Sequence, residues 1–137
     1  MIIIDTNVVS ETMKPAPDEH VLTWLAGHVS EVTITSITVG ELCAGMEVLP
    51  DGHRKGELQR LLDGVFSAYR DIIVGYDAQA GESYGTVVAK RRAAGRPVTT
   101  EDAMIAAICL SRGLWLATRN TKDFSGLGLT VINPWEG

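Results

Sequence analysis

TTEDAMIAAICLSRGLWLA, residues 99–117, is the stretch on which the fold turns. Thr99 or Thr100 is placed to cap a helix running to about Arg112, and Gly113 is placed to end it. Between them Ala103 to Leu110 is unbroken apolar sequence. A helix that is apolar nearly all round has no side to offer water, so it belongs in the interior. Leu114 to Ala117 follows at once and reads as a strand.

The same alternation extends outward along the chain. Residues 1 to 4, Met-Ile-Ile-Ile, form an apolar β-type run that ends at Asp5. After the Lys14-Pro15-Ala16-Pro17 break, Asp18 caps a helix to about Gly27 that presents Val21, Leu22 and Leu25 on one face. Val32 to Thr35 alternates like a short strand, and Ser36 is placed to cap a helix to about Leu49. Pro50 to His53 read as a loop. Residues 54 to 69 place Leu58, Leu61, Leu62 and Val65 at helical spacing, and Ile72 to Val74 reads as a further strand. Tyr76-Asp77 opens a long helix to about Ala94, which Gly95, Arg96 and Pro97 terminate. A last strand is expected at Leu129 to Ile132. Strands separated by helices imply an α/β protein, with a central parallel sheet between helical layers in a three-layer α/β/α arrangement.

The chain has 137 residues, 45% of them hydrophobic and 21% charged, with a formal charge of −5. That composition excludes disorder, and the length implies one domain over residues 1–137. Two cysteines, Cys43 and Cys109, make neither a disulfide framework nor a zinc motif, and they read as inert core residues. The start of the chain has no basic region before a long apolar run, and no apolar stretch is long enough to span a bilayer, so the expected location is the cytoplasm, with no membrane partner. His20, His28 and His53 have no metal-like spacing and read as surface residues. Trp24, Trp115 and Trp135 read as core or interface.

Four carboxylates stand where open parallel sheets build their sites, outside the carboxyl ends of the strands. Asp5 ends the first strand, Glu41 lies early in the helix after the second, Asp102 is in the first turn of the buried helix, and Asp123 follows the strand ending at Ala117. Taken singly, Asp5 and Asp123 read as turn residues, and Asp102 as a charge complementing a helix dipole. Glu41 has no such reading, because its neighbours three and four residues away are Ile37, Thr38, Ala44 and Gly45, with no basic partner. Together, four converging acids repel one another unless a cation holds them. Oxygen ligands without His or Cys select a hard ion such as Mg²⁺ or Mn²⁺, and phosphodiester hydrolysis is the chemistry that fits.

Four ordered motifs, Ile3-Ile4-Asp5-Thr6-Asn7, Ser36-Ile37-Thr38-Val39-Gly40-Glu41-Leu42, Thr100-Glu101-Asp102-Ala103-Met104-Ile105-Ala106-Ala107 and Ala117-Thr118-Arg119-Asn120-Thr121-Lys122-Asp123-Phe124, resemble the PIN-domain ribonucleases. More narrowly, the chain is similar to the VapC toxins of bacterial type II toxin-antitoxin pairs, in the FitB-like branch. The resemblance implies a metal-dependent endoribonuclease. In it Asp5, Glu41, Asp102 and Asp123 are catalytic, and Asp5 and Asp102 are the most direct ligands of Mg²⁺ or Mn²⁺. Thr6, Asn7, Thr118 and Asn120 would support these ligands or the substrate. The chain departs from the pattern at Asn120, where many members carry the fourth acid. The resemblance further implies an RNA substrate, a cognate antitoxin partner and a homodimer.

Residues 86 to 122 hold seven basic side chains against Glu101 and Asp102 alone, a local charge of +5. Lys90, Arg91, Arg92 and Arg96 are therefore expected to track RNA phosphates, a solvated helix face being the plainer reading. Two other functions compete. A phosphatase or phosphotransferase would use Asp5 as a covalent nucleophile, although its haloacid dehalogenase form needs a second acid where this chain has Asn7. A non-catalytic RNA- or partner-binding module gains nothing from four clustered acids.

Overall fold

The computed structural model describes residues 1–136, which form a four-stranded sheet with helices on both faces. In chain order the elements are β1 (Ile2–Ile4), α1 (Thr6–Thr12), α2 (Glu19–Gly27), β2 (Val32–Thr33), α3 (Ser36–Glu47) and α4 (His53–Tyr69). They continue with α5 (Ala78–Ala93), α6 (Thr100–Arg112), β3 (Trp115–Ala117), a 3-10 turn at Thr121–Phe124 and β4 (Val131–Ile132). The strands are all parallel, in the order β2-β1-β3-β4. From β1 the chain crosses to β2 on one side, while from β3 it crosses to β4 on the other. The sheet therefore reverses its winding between β1 and β3, and such a switch point opens a crevice at the strands' carboxyl ends.

The two-residue period of a strand divides the core. Ile2 and Ile4 point to one face, where they meet Val8, Val9, Val21, Leu42, Met46 and Leu62 from α1 to α4. Ile3 points to the other, where it meets Val87 of α5 and Ala103, Ile105, Ala106 and Cys109 of α6. The run from Ile105 to Cys109 is fully buried, as its lack of a polar face requires.

Local chemistry sets the element ends. The carboxylate of Asp18 accepts from the His20 N–H at 2.8 Å, that of Asp77 from the Ala80 N–H at 3.0 Å, and the hydroxyl of Thr99 from the Asp102 N–H at 3.2 Å. Gly113, at φ 66°, closes α6 in the left-handed conformation that a β-carbon disfavours.

Several details differ from the sequence reading. Thr35, not Ser36, caps α3, its hydroxyl accepting from the Thr38 N–H at 3.2 Å. The strand expected over Val32 to Thr35 ends at Thr33. Ile72 to Val74 is not a strand: only Val74 pairs, through one bridge to Thr35, because the chain turns into the loop before α5. Cys109 is buried, whereas Cys43 is only half-buried. Trp115 is half-exposed, which leaves only the interface half of its expected core-or-interface role. Helix α1 lies where the sequence signalled nothing.

Because Ile3 is wholly buried between the sheet and α5/α6, Ile3→Ala should cost about 2–5 kcal/mol in urea unfolding. Val29→Ala, at an exposed position, should stay within about 0.5 kcal/mol. Equal losses at the two sites would contradict this assignment of the core.

Candidate active site

Asp5 leaves β1 and immediately caps α1. One of its oxygens, Oδ1, accepts from the Thr6 N–H at 2.8 Å, and the other, Oδ2, accepts from the Thr118 hydroxyl at 2.7 Å. The Asp5 N–H itself donates to the Ala117 carbonyl at 2.9 Å, so the ends of the adjacent strands β1 and β3 are joined through one residue. The Thr118 hydroxyl also accepts from the Asn7 side-chain amide and from the Asn120 N–H, each at 3.1 Å. Asn7 Oδ1 accepts from the Arg119 N–H at 3.3 Å. Thr6, Asn7, Thr118 and Asn120 thus form one hydrogen-bonded frame around Asp5.

Glu41, on the second turn of α3, is held from the same frame. The Thr6 hydroxyl donates to Glu41 Oε1 at 2.8 Å. With that proton committed, the 2.9 Å contact between the Thr6 and Thr38 hydroxyls is a donation from Thr38. Asp102 stands in the first turn of α6, half-buried.

Asp5, Glu41 and Asp102 line one cavity of about 380 Å³, together with Thr6, Asn7 and Asn120. Asp123, in the 3-10 turn, is not part of its lining, although its charge bears on both Asp5 and Asp102. Burial raises the carboxyl of Asp5 above its ordinary range, opposed by the Thr118 and Thr6 hydrogen bonds. Burial likewise raises Glu41, with the charges of Asp5 and Glu101 adding to the effect. Asp102 is pushed up to about 6, first by burial and then by the charges of Asp5, Asp123 and Glu41. Acids from four separate segments therefore feel one another.

The donors are all oxygens, as a hard cation requires. Among the described residues no three Asp, Glu, His or Cys side chains stand close enough to grip one ion together. The set fits an ion held by one or two carboxylates, with water completing its shell.

Of the basic residues singled out in the sequence, Lys90, Arg92 and Arg96 are exposed around the end of α5. Arg91 is not. It is 4% exposed, its Nε donates to the Arg96 carbonyl at 2.8 Å, and one terminal nitrogen reaches the Ser125 carbonyl at 2.9 Å and that of Lys122 at 3.3 Å. A guanidinium committed to backbone carbonyls is a structural clamp on the 122–125 turn, and the expectation that Arg91 meets phosphate is corrected accordingly. The sequence reading also missed residues that complete the cavity wall: Ser10, Glu11, Lys14, Arg119 and Trp135. Trp135, expected in the core or at an interface, packs partly on the core while also lining this cavity. Ser10, Glu11 and Lys14 lie on or just beyond α1, a helix without a sequence signal, and only the fold brings Trp135 to this cavity.

Fold and site together define a parallel α/β protein whose ligand crevice, at the switch point of the sheet, is walled by acids. Residues 2–128 match the PIN domain family, and the chain belongs to it. It is 41% identical to plasmid stability protein StbB of Pseudomonas syringae pv. tomato and 38% identical to VapC ribonuclease Y4jK of Sinorhizobium fredii, over 99% of each chain in both cases. Toxin FitB of Neisseria gonorrhoeae is 34% identical over 98% of this chain and 99% of its own. The crystal structure of FitAcB from that organism superposes with a TM-score of 0.91 over 100% of both chains, at 32% identity.

A carboxyl held above its unfolded value contributes stability at low pH that is lost as pH rises to the folded value. In EDTA, the advantage in melting temperature of Asp102→Asn over the wild type should grow as pH rises from about 4 to about 6 and level off above. A pH-independent difference would show that Asp102 does not carry this strain.

Proposed function

We propose that the chain is the toxic endoribonuclease of a type II toxin-antitoxin pair, hydrolysing RNA phosphodiester bonds with Mg²⁺ or Mn²⁺. The observation that carries this reading is the convergence of Asp5, Glu41 and Asp102 on one cavity at the carboxyl ends of β1 and β3, with the charge of Asp123 bearing on it. Asp5 and Asp102 are the residues that would hold the ion, while Glu41 and Asp123 complete the acidic site or act through water. When bound, the ion supplies positive charge beside the scissile phosphate and lowers the pKa of water.

The protein's own share is orientation and proton management. Thr118 and Thr6 fix both oxygens of Asp5, and Thr6, itself bonded to Thr38, fixes one oxygen of Glu41. Asp102, raised to about 6, holds a proton in mildly acidic solution that it must release for the site to carry its full negative charge. The rival in which Asp5 attacks phosphorus is disfavoured, because its haloacid dehalogenase form needs a second acid where this chain has Asn7, whose side-chain amide donates to Thr118 at 3.1 Å.

Lys90, Arg92 and Arg96 supply an exposed basic rim for the RNA backbone, whose attraction is independent of sequence. The partner is a cognate antitoxin, and the mainly apolar groove beside Glu41, walled by Leu42, Met46, Leu49, Leu58 and Leu62, offers it a seat. The working form is a cytoplasmic homodimer. Among the described residues, no helix is long and apolar enough to cross a membrane.

Purified protein should cut single-stranded RNA with Mn²⁺ and stop on addition of EDTA. Asp5→Asn and Asp102→Asn should each lower the rate by about 100-fold or more, beyond the loss typical of a supporting residue, and Asp123→Asn by less. Wild-type cleavage by Asp5→Asn would sink the assignment.

A further inference from the structure

The acidic cavity has two cations in its wall, and they are used differently. Lys14 is committed: its ammonium lies 2.9 Å from Glu11 Oε1, and Glu11, 5% exposed, is held below the ordinary carboxylate range by that contact and by the Asp18 N–H. Arg119 is not. Among the described residues its guanidinium makes no ion pair, although it shares a cavity with Asp5, Glu41 and Asp102; it lies instead over the indole of Trp135, 5.1 Å from the ring centroid. None of these carboxylates is lowered by the charge of Arg119, so the guanidinium stands off from them. Here the ring face gives the guanidinium an alternative seat, and the Asn7 side chain anchors the Arg119 backbone at 3.3 Å.

From this geometry we infer that Arg119, propped on Trp135 at the rim of the acidic cavity, binds a backbone phosphate of the RNA that the acids cleave. The inference rests on the nuclease reading above and deepens it. Guanidinium suits the task because its planar fork pairs two phosphate oxygens while its face stays on an aromatic ring, which an ammonium does not reproduce. The position suits it too. Arg119 follows Thr118, the residue bonded to Asp5, so a phosphate gripped by Arg119 is registered to the carboxylate frame by one peptide unit. Trp135 is a positioning residue: it acts on RNA through Arg119.

The test separates binding from cleavage. Affinity for a fluorescent single-stranded RNA is measured in EDTA across a series of salt concentrations, and cleavage is measured separately with Mn²⁺. Arg119→Ala should weaken binding by about tenfold at low salt and reduce the log–log salt slope by about 0.7, the value of one phosphate contact on a single strand. Arg119→Lys should keep the slope while losing part of the affinity. Trp135→Leu should weaken binding a few-fold with the slope retained, because the charge remains while its seat is lost, and Trp135→Phe should recover most of the loss. Cleavage by Arg119→Ala should show a raised KM. If the wild type cuts RNA and Arg119→Ala matches it in affinity, slope and KM, this inference falls alone. If the wild type neither binds nor cuts RNA, the nuclease reading falls with it.

Discussion

One carboxylate sits at the junction on which the rest of the molecule depends. Asp5 closes β1, caps α1, and is bonded through Thr118 to the end of β3. Burying a carboxylate to 4% exposure is unfavourable unless its oxygens are occupied, and the Thr118 hydroxyl and Thr6 N–H occupy them. Those bonds hold the charge in place without neutralising it. Burial still dominates and lifts the carboxyl above its ordinary range. The site is therefore built stiff and left electrostatically strained, an arrangement that an incoming cation relieves.

The fold explains why the strain gathers there. Parallel strands deliver every following residue to the same edge, and the reversal of winding between β1 and β3 keeps that edge open. Asp5 follows β1, Thr118 and Asn120 follow β3, Glu41 rides on the helix after β2, and Asp102 opens the buried helix that must lie against the sheet. A surplus of negative charge at one edge also sets the demands on the surroundings. Lys90, Arg92 and Arg96 remain exposed, and the Arg119 guanidinium is seated over the indole of Trp135.

The sheet and its buried helix were legible in the sequence because Ala103 to Leu110 and Met1 to Ile4 are apolar without interruption, and the shared edge of Asp5, Glu41 and Asp102 was legible because one ends a strand and two lie near helix starts. What escaped notice has physical reasons. Helix α1 has seven residues and begins on a carboxylate that also reads as a turn residue, so neither length nor cap distinguished it. Arg91 looked like its neighbours Lys90 and Arg92, and only packing shows that its guanidinium is consumed by the carbonyls of residues 96, 122 and 125. Trp135 meets Arg119 across sixteen positions in the chain, a contact that no periodicity encodes.

The raised carboxyls of Asp5, Glu41 and Asp102 suit a divalent cation, and proton release tests that fit most directly. Calorimetric titration of Mn²⁺ into the protein, in buffers of different ionisation enthalpy, reports how many protons leave on binding. Near pH 6, where Asp102 is partly protonated, binding should expel a fraction of a proton, and the fraction should fall toward zero by about pH 8. Binding without proton release at either pH, or no binding at all, would contradict the account.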